Sequence, residues 1–204
     1  MSEKRHWIFL RGLVRGRGHW ADFPQKFQMK FPQDTYEMID LPGNGERFRE
    51  TSPKKMLDYV QVVRSRSVAI REGKKVHLLA LSLGGMVAVD WMNHYGDEIE
   101  KTFLVCTSAA NMAHFYERFR PENYLKLLSL VKVHTASEYE EKLLDIIANN
   151  RDRRQDLLSQ LVHYSARYPM SRKNFLRQIF AASKARFPEG KPEVKEKLPL
   201  FVPV

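Results

Sequence analysis

Cysteine is almost absent from this chain, which has only Cys106 among its 204 residues, so a disulfide scaffold is excluded. Glycine and proline are sparse, at ten each and without a period, which excludes collagen-like and low-complexity proteins. No apolar run approaches the roughly 18 residues that cross a membrane. Arg11 interrupts the short apolar run near the N-terminus, which is therefore not a signal peptide. These absences predict a soluble protein of a reducing compartment, the cytoplasm.

The composition that remains is that of a globular protein. Apolar residues make up 43% of the chain and aromatic residues 11%, which is enough to bury a core without disulfides or metals. No cluster of His, Cys, Asp and Glu has the spacing of metal ligands. The glycine pairs at 16–18 and 43–45 lack the rest of a phosphate-binding fingerprint. We therefore expect neither a metal nor a cofactor.

The chain is basic, with a formal net charge of +10. Such a surplus raises the hypothesis of a nucleic-acid or anionic-membrane partner. The charge is spread, however, with 17 basic and 13 acidic residues in 1–110 and 17 and 11 in 111–204. No nucleic-acid fold signature accompanies it, so we predict no nucleic-acid partner and no membrane partner. A nucleic-acid-binding module is kept as an alternative, which a steep salt dependence of binding would support.

Strands and helices alternate in the first half of the chain. Apolar runs predict strands at 6–10, 35–41, 76–81 and 102–106. Helical spacing predicts a helix over 20–31, a second that Ser52 caps and that ends near Gly73, and a third over 86–95. This alternation is typical of a parallel α/β sheet.

The second half has helical periodicity and no convincing strand until its end. It predicts helices at 121–132, 137–150, 153–167 and 171–186, with Ser137 and Ser171 as N-caps. A helical block inserted between strands of a sheet indicates a cap. We therefore divide the chain into an N-terminal part of the core at 1–110, a helical cap subdomain at 111–190, and the start of a C-terminal core strand at 191–204.

The strongest chemical motif is Ala80-Leu81-Ser82-Leu83-Gly84, between a predicted buried strand and a predicted helix. It has the spacing of a nucleophile elbow, G-x-S-x-G, with Ala at the first small position. A strand that turns at once into a helix lifts the serine hydroxyl above the sheet, and the N–H of Leu83 then lies at a helix N-terminus. The alternative is an ordinary strand–helix turn that contains a serine. The flanking strand and helix favour the elbow.

Two glycine turns accompany this motif. Arg11-Gly12-Leu13 follows the first strand, where a backbone N–H could complete an oxyanion hole, although a simple glycine turn is the alternative. Asp40-Leu41-Pro42-Gly43-Asn44-Gly45 follows the second strand.

Together these motifs resemble those of the α/β-hydrolase superfamily, in particular small bacterial esterase-like members. Further matches are Gly18-His19-Trp20, 120–124 and 171–174, so the resemblance covers essentially the whole chain. It implies an α/β-hydrolase fold, with a mostly parallel sheet, flanking helices and a helical cap. It also implies a small ester or acyl substrate, Ser82 as nucleophile, and Leu13 and Leu83 as oxyanion-hole donors. Arg11 stands where many members have His. The residues that would line the substrate pocket are Arg11, His19, Trp20, His114, Phe115 and Tyr124.

The resemblance also predicts what this chain lacks. In the family the catalytic acid and then the histidine follow the cap, but the last histidine here is His163, inside a predicted cap helix. Neither His19 nor His114 occupies the family's base position. We therefore expect a chain truncated before the acid and histidine, lacking the C-terminal strand and helix unit, and inactive unless completed. The alternative is a non-catalytic member that binds a small apolar ligand or a protein partner; the oligomeric state is left open.

Overall fold

A computed structural model describes residues 4–111, 121–147 and 151–187. The strands are β1 (His6–Leu10), β2 (Thr35–Met38), β3 (Val76–Leu81) and β4 (Ile99–Val105). The helices of the first half are α1 (Phe23–Lys30), α2 (Met56–Arg66), α3 (Val68–Arg71) and α4 (Leu83–Tyr95). Those of the second half are α5 (Pro121–Ser129), α6 (Ala136–Ile147), α7 (Arg151–Arg167) and α8 (Arg172–Lys184). The predicted alternation of strands and helices in the first half is present.

The four described strands form one parallel sheet in the order β2-β1-β3-β4. Both faces of the central strand β1 are covered, and successive side chains alternate between them. Ile8 and Leu10 join a core with α2 and α4, whereas Trp7 and Phe9 join a second core with α1. The predicted α/β class and parallel sheet are therefore confirmed.

Aromatic rings fill the α1 side of the sheet. Phe9 is fully buried there, and its ring stacks on Tyr36 with centroids 5.2 Å apart and an interplanar angle of 4°. Its other face meets Phe27 edge-on at 5.0 Å, and Trp20 lies 5.4 Å away. Such pairs add to the hydrophobic stabilisation of the buried area. This cluster fixes the chain that follows β1 against the sheet.

Helices α5 to α8 pack on the loop that follows β1. Leu143 of α6 and Phe175 of α8 are buried with Val14 of that loop. Ala181 of α8 reaches the main core beside α4. Ser171 caps α8, as predicted, because its hydroxyl accepts a hydrogen bond from the N–H of Asn174 at 3.1 Å. The division at 110 and 190 stays a prediction, since 112–120, 148–150 and 188–204 lie outside the described residues.

Several predicted bounds are wrong. The helix predicted over 20–31 begins only at Phe23, because Ala21 has a φ of +49°, which no right-handed helix contains. A 3-10 turn, Arg17–Trp20, precedes it. Ser52 does not cap α2; its hydroxyl donates to the carbonyl oxygen of Pro42 at 2.8 Å instead.

Further differences are shifts of a few residues at the ends of elements. β2 ends before residue 41, β4 begins before residue 102, and α4 begins before residue 86. The second predicted helix is interrupted at Ser67, where α2 ends and α3 begins. Ser137 lies inside α6, whose first turn is capped by the Thr135 hydroxyl accepting from the N–H of Glu138 at 3.2 Å.

Within the described ranges no helix is long and apolar enough to cross a membrane.

Replacing Phe9 by alanine should lower the free energy of unfolding by about 3–5 kcal/mol, because a buried ring is lost and the sheet cannot close the cavity. Phe180→Ala is the matched control, since that ring on α8 is 41% exposed and should cost less than about 1 kcal/mol. Urea unfolding followed by circular dichroism measures both. Equal losses would contradict a core centred on Phe9.

Candidate active site

Ser82 is the single residue between β3 and α4, and its backbone has φ +51° and ψ −116°. A positive φ costs a residue with a side chain on the order of 1–3 kcal/mol, so the surroundings must hold it. The Ser82 N–H donates to the carbonyl oxygen of Val105 at 2.9 Å, and the Thr107 hydroxyl donates to the Ser82 carbonyl at 2.9 Å. The serine is thus fixed at a sharp strand–helix turn, the geometry that the motif predicts.

Small residues around this turn allow backbones to touch. A Cβ at position 84 would lie 2.7 Å from the carbonyl oxygens of both Leu10 and Arg11. A Cβ at position 12 would lie 2.9 Å from the Cβ of Ser82 and 3.4 Å from its Oγ. The distances of 2.7 Å at position 84 and 2.9 Å at position 12 are too short for a side-chain carbon. The end of β1 and the serine turn are therefore in direct contact, and glycine is required at both positions.

Two backbone N–H groups next to this contact are unbound among the described residues. Leu83 is the first residue of α4, where the N–H has no partner within the helix. Leu13 follows Gly12, and its N–H makes no hydrogen bond to any described residue. The N–H of the next residue, Val14, donates to Gln178 Oε1 at 3.1 Å, and Asn44 Nδ2 donates to the Arg15 carbonyl at 3.1 Å. The loop is thus held by residues around Leu13, and the Leu13 N–H stays available.

His19 is engaged away from the serine. Its Nδ1 lies 3.0 Å from the N–H of Gly16, and its Nε2 lies 3.4 Å from Ser165 Oγ and 3.5 Å from Glu140. Within the described ranges, neither a histidine nor a carboxylate forms a hydrogen bond with Ser82. The structure therefore places His19 in the loop near the site but gives Ser82 no base from the described residues.

A buried ion pair joins the loop after β1 to the helical block. Arg15 Nη1 lies 2.5 Å from a Glu140 oxygen, and both side chains are almost fully buried. Burial raises the pKa of Glu140, but hydrogen bonds from His19 and Ser165 and the charge of Arg15 lower that pKa to about 2. Burial lowers the pKa of His19 to about 4, so its imidazole is neutral at pH 7. Glu140 therefore holds α6 to the loop after β1 as a carboxylate.

Neither Arg15 nor Glu140 was predicted as a site residue from the sequence. A signal was present for the carboxylate, because Glu140 shares a helical face with Leu143 and Leu144, three and four residues further on, which are both buried. A charge on an apolar face indicates a buried partner.

The other predicted pocket residues are placed as follows. Arg11 and Trp20 lie together in the loop, with the guanidinium carbon 4.9 Å from the ring centre. Tyr124 is half-buried on α5, and its role stays a prediction. His114 and Phe115 lie outside the described residues.

A cleft of about 350 Å³ lies beside this site. Its lining includes Arg17, Tyr164 and Tyr168 but not Ser82. Within the described ranges, no group of three or more His, Cys, Asp or Glu side chains could hold a metal ion.

The model of the alpha/beta hydrolase family matches residues 7–196, so this chain belongs to that family. No curated protein matches it. Among solved structures it is similar to a hydrolase from Pseudomonas aeruginosa PA01, with 15% identity, a TM-score of 0.62, and coverage of 91% of this chain and 66% of that one. It is also similar to an esterase from Exiguobacterium antarcticum, with 14% identity, a TM-score of 0.64, and coverage of 91% and 68%. A lipase-esterase related protein from Clostridium acetobutylicum has 13% identity, a TM-score of 0.61, and coverage of 89% and 67%.

These structural likenesses, all at low identity, establish the shared α/β-hydrolase fold. The chain spans about two thirds of the length of these solved proteins.

Gly84→Ala should lower the free energy of unfolding by about 1–3 kcal/mol, because the new methyl group meets two backbone oxygens that cannot move aside. Gly96→Ala, at the end of the same helix, is the matched control. Its φ is −57° and no atom lies within 4 Å of its Cβ position, so alanine there should stabilise by about 0.4–1 kcal/mol. Thermal and urea unfolding would show the opposite signs; the same sign for both would contradict the tight contact.

Glu140→Leu should cost about 3–5 kcal/mol, because it leaves Arg15 charged and buried without its partner. The double variant with Arg15→Met should recover most of that loss, since two apolar side chains replace the pair. Glu138→Leu, exposed on the same helix, should change stability by no more than about 1 kcal/mol. Urea unfolding of the wild-type chain, Glu140→Leu, Arg15→Met and the double variant gives the coupling, and additive losses would contradict the ion pair.

Proposed function

We propose that this protein is a serine hydrolase of small carboxylic esters or related acyl compounds, with Ser82 as the nucleophile. The observation that carries this proposal is the strained serine turn, which lies beside two unbound N–H groups. Membership of the hydrolase family, and the printed description of two similar structures as esterase or lipase-esterase related, support it. The substrate is therefore a small molecule.

The geometry suits acyl transfer in two steps. The Ser82 oxygen attacks the ester carbonyl carbon, and the carbonyl oxygen becomes an oxyanion. The N–H groups of Leu13 and Leu83 donate to that oxyanion, and the N-terminal end of α4 adds favourable electrostatic potential. The alcohol leaves, an acyl-enzyme remains on Ser82, and water then releases the acid.

A base must remove the proton of Ser82 for this chemistry to be fast. The described residues provide none, since the Nε2 of His19 is turned to Glu140 and Ser165. The base is therefore sought outside the described residues, where His114 is one candidate within this chain. Without it, the oxyanion hole alone gives only residual catalysis.

A fluorophosphonate probe reports an activated serine. It should therefore label Ser82 of the 204-residue chain if a residue of this chain outside the described ranges, such as His114, acts as the base. Ser82→Ala should abolish labelling and lower the rate of p-nitrophenyl acetate hydrolysis by at least about 1000-fold. Ser65→Ala is the matched control, because that hydroxyl is exposed on α2 and donates only to its own helix. Intact-mass spectrometry and a spectrophotometric assay provide the readouts.

His114→Ala separates the source of the base. If labelling is lost in this variant while the fold is kept, the base lies within this chain. Hydrolysis that persists in Ser82→Ala would contradict the proposal. Absence of labelling in the 204-residue chain agrees with a base that lies outside it. A folded protein that includes the acid and histidine and is still not labelled would favour the non-catalytic alternative, a ligand-binding member of the family.

A further inference from the structure

The backbone of Arg11 contacts the serine turn, and its side chain carries a cation within the same loop. Its carbonyl oxygen lies against Gly84, and the next residue, Gly12, contacts Ser82. Its guanidinium carbon lies 4.9 Å from the centre of the Trp20 ring, so the side chain is held within the loop rather than extended into solvent. The backbone that carries this guanidinium therefore contacts the serine turn.

Two N–H donors at this position lack a partner. The Nε of Arg11 and the Nε1 of Trp20 are buried, and neither forms a hydrogen bond to the described residues. Both groups can only donate, so only an acceptor can satisfy them. A buried donor without a partner is costly, and the two donors belong to side chains that touch each other. These two donors therefore favour a ligand that has oxygen atoms as hydrogen-bond acceptors.

The local charge is also unbalanced. The described charges that act on Arg11 are those of Arg15 and Glu140, and Glu140 is already committed to Arg15 at 2.5 Å. His19 contributes no charge at pH 7. Burial, and then the charge of Arg15, lower the pKa of Arg11 to about 9, so Arg11 is still a cation at neutral pH. Among the described residues, one buried positive charge is left without an anion.

We propose that Arg11 and the indole N–H of Trp20 form a subsite for the free carboxylate of an ester substrate. The preferred ligands are then monoesters of short dicarboxylic acids, which carry one negative charge near the ester. That this ligand is a substrate rests on the function proposed for Ser82, whereas carboxylate binding at the subsite does not depend on it. A single negative charge matches the single surplus cation, and a planar carboxylate matches the guanidinium fork.

Calorimetric titration tests the subsite without depending on catalysis. The 204-residue chain with Ser82→Ala is titrated with monomethyl succinate and with dimethyl succinate, which differ by one charge. The monoester should bind roughly tenfold more tightly or better, because hydrogen bonds to charged groups are worth that much. Adding Arg11→Gln should reduce this preference to about one.

Two further variants control for folding and for general charge. Arg11→Lys keeps the cation but not the fork, so the preference for the monoester should weaken without vanishing. Arg17→Gln removes an exposed cation of the same loop, paired with Glu46, and should leave the preference unchanged. Circular dichroism shows whether Arg11→Gln is folded. If it is not, the proposal is still tested by comparing the monoester preference of Arg11→Lys, which should weaken, with that of Arg17→Gln, which should not change.

Equal binding of the two esters would overturn the subsite, as would a preference that survives in Arg11→Gln. Inorganic phosphate serves as a competitor, and phosphate binding more tightly than monomethyl succinate would overturn the choice of a carboxylate. Preference for the monoester in a protein that includes the acid and histidine, but whose Ser82 is never labelled, would uphold the subsite while the hydrolase proposal fails. Labelling of Ser82 without any preference would do the reverse.

Discussion

The contact between the end of β1 and the serine turn is the constraint on which the rest of the site depends. Backbone oxygens of residues 10 and 11 lie where a side chain at 84 would be, and Ser82 lies where one at 12 would be. This contact orders the sequence around it, because the chain must leave β1 at a glycine and enter α4 with another. It also brings the loop after β1, which carries Leu13, beside the N-terminus of α4, which carries Leu83.

That loop is held from its other side by the helical block. Val14 packs among Leu130, Leu143 and Phe175, and Arg15 is paired with Glu140 of α6. A buried ion pair is weak evidence for net stability, because desolvation of the charges offsets much of their attraction. It is, however, specific, since Glu140 is the one carboxylate among the described residues that pairs with Arg15. We infer that the pair sets where α6 lies over the loop, and hence which side of the serine turn the helices cover.

Much of this could be predicted from the sequence, and the reasons are local. The bounds of β1 and β3 follow from unbroken apolar runs, and the turn at Ser82 from small residues on both sides of it. The Ser171 hydroxyl accepts from its own helix, whereas the Ser52 hydroxyl, with the same local signal, donates to the Pro42 carbonyl and accepts from Gln178, which is 126 residues away. Glu140 was missed for a similar reason, because its partners come from other elements. Long-range contacts decide such cases, and propensity does not contain them.

Arg11 belongs both to the backbone contact at the serine turn and to the buried charged cluster of the loop after β1. Its backbone belongs to the tight contact that shapes the serine turn, while its side chain belongs to the cluster that includes Arg15 and Glu140. A neutral residue would leave the contact intact, because the backbone alone makes it. The charge is therefore not needed for the fold, and burial makes it unfavourable, as its lowered pKa indicates. A charge that no described residue neutralises, in a loop that contacts a serine turn with two N–H groups unbound among the described residues, is best explained by a ligand that brings the opposite charge.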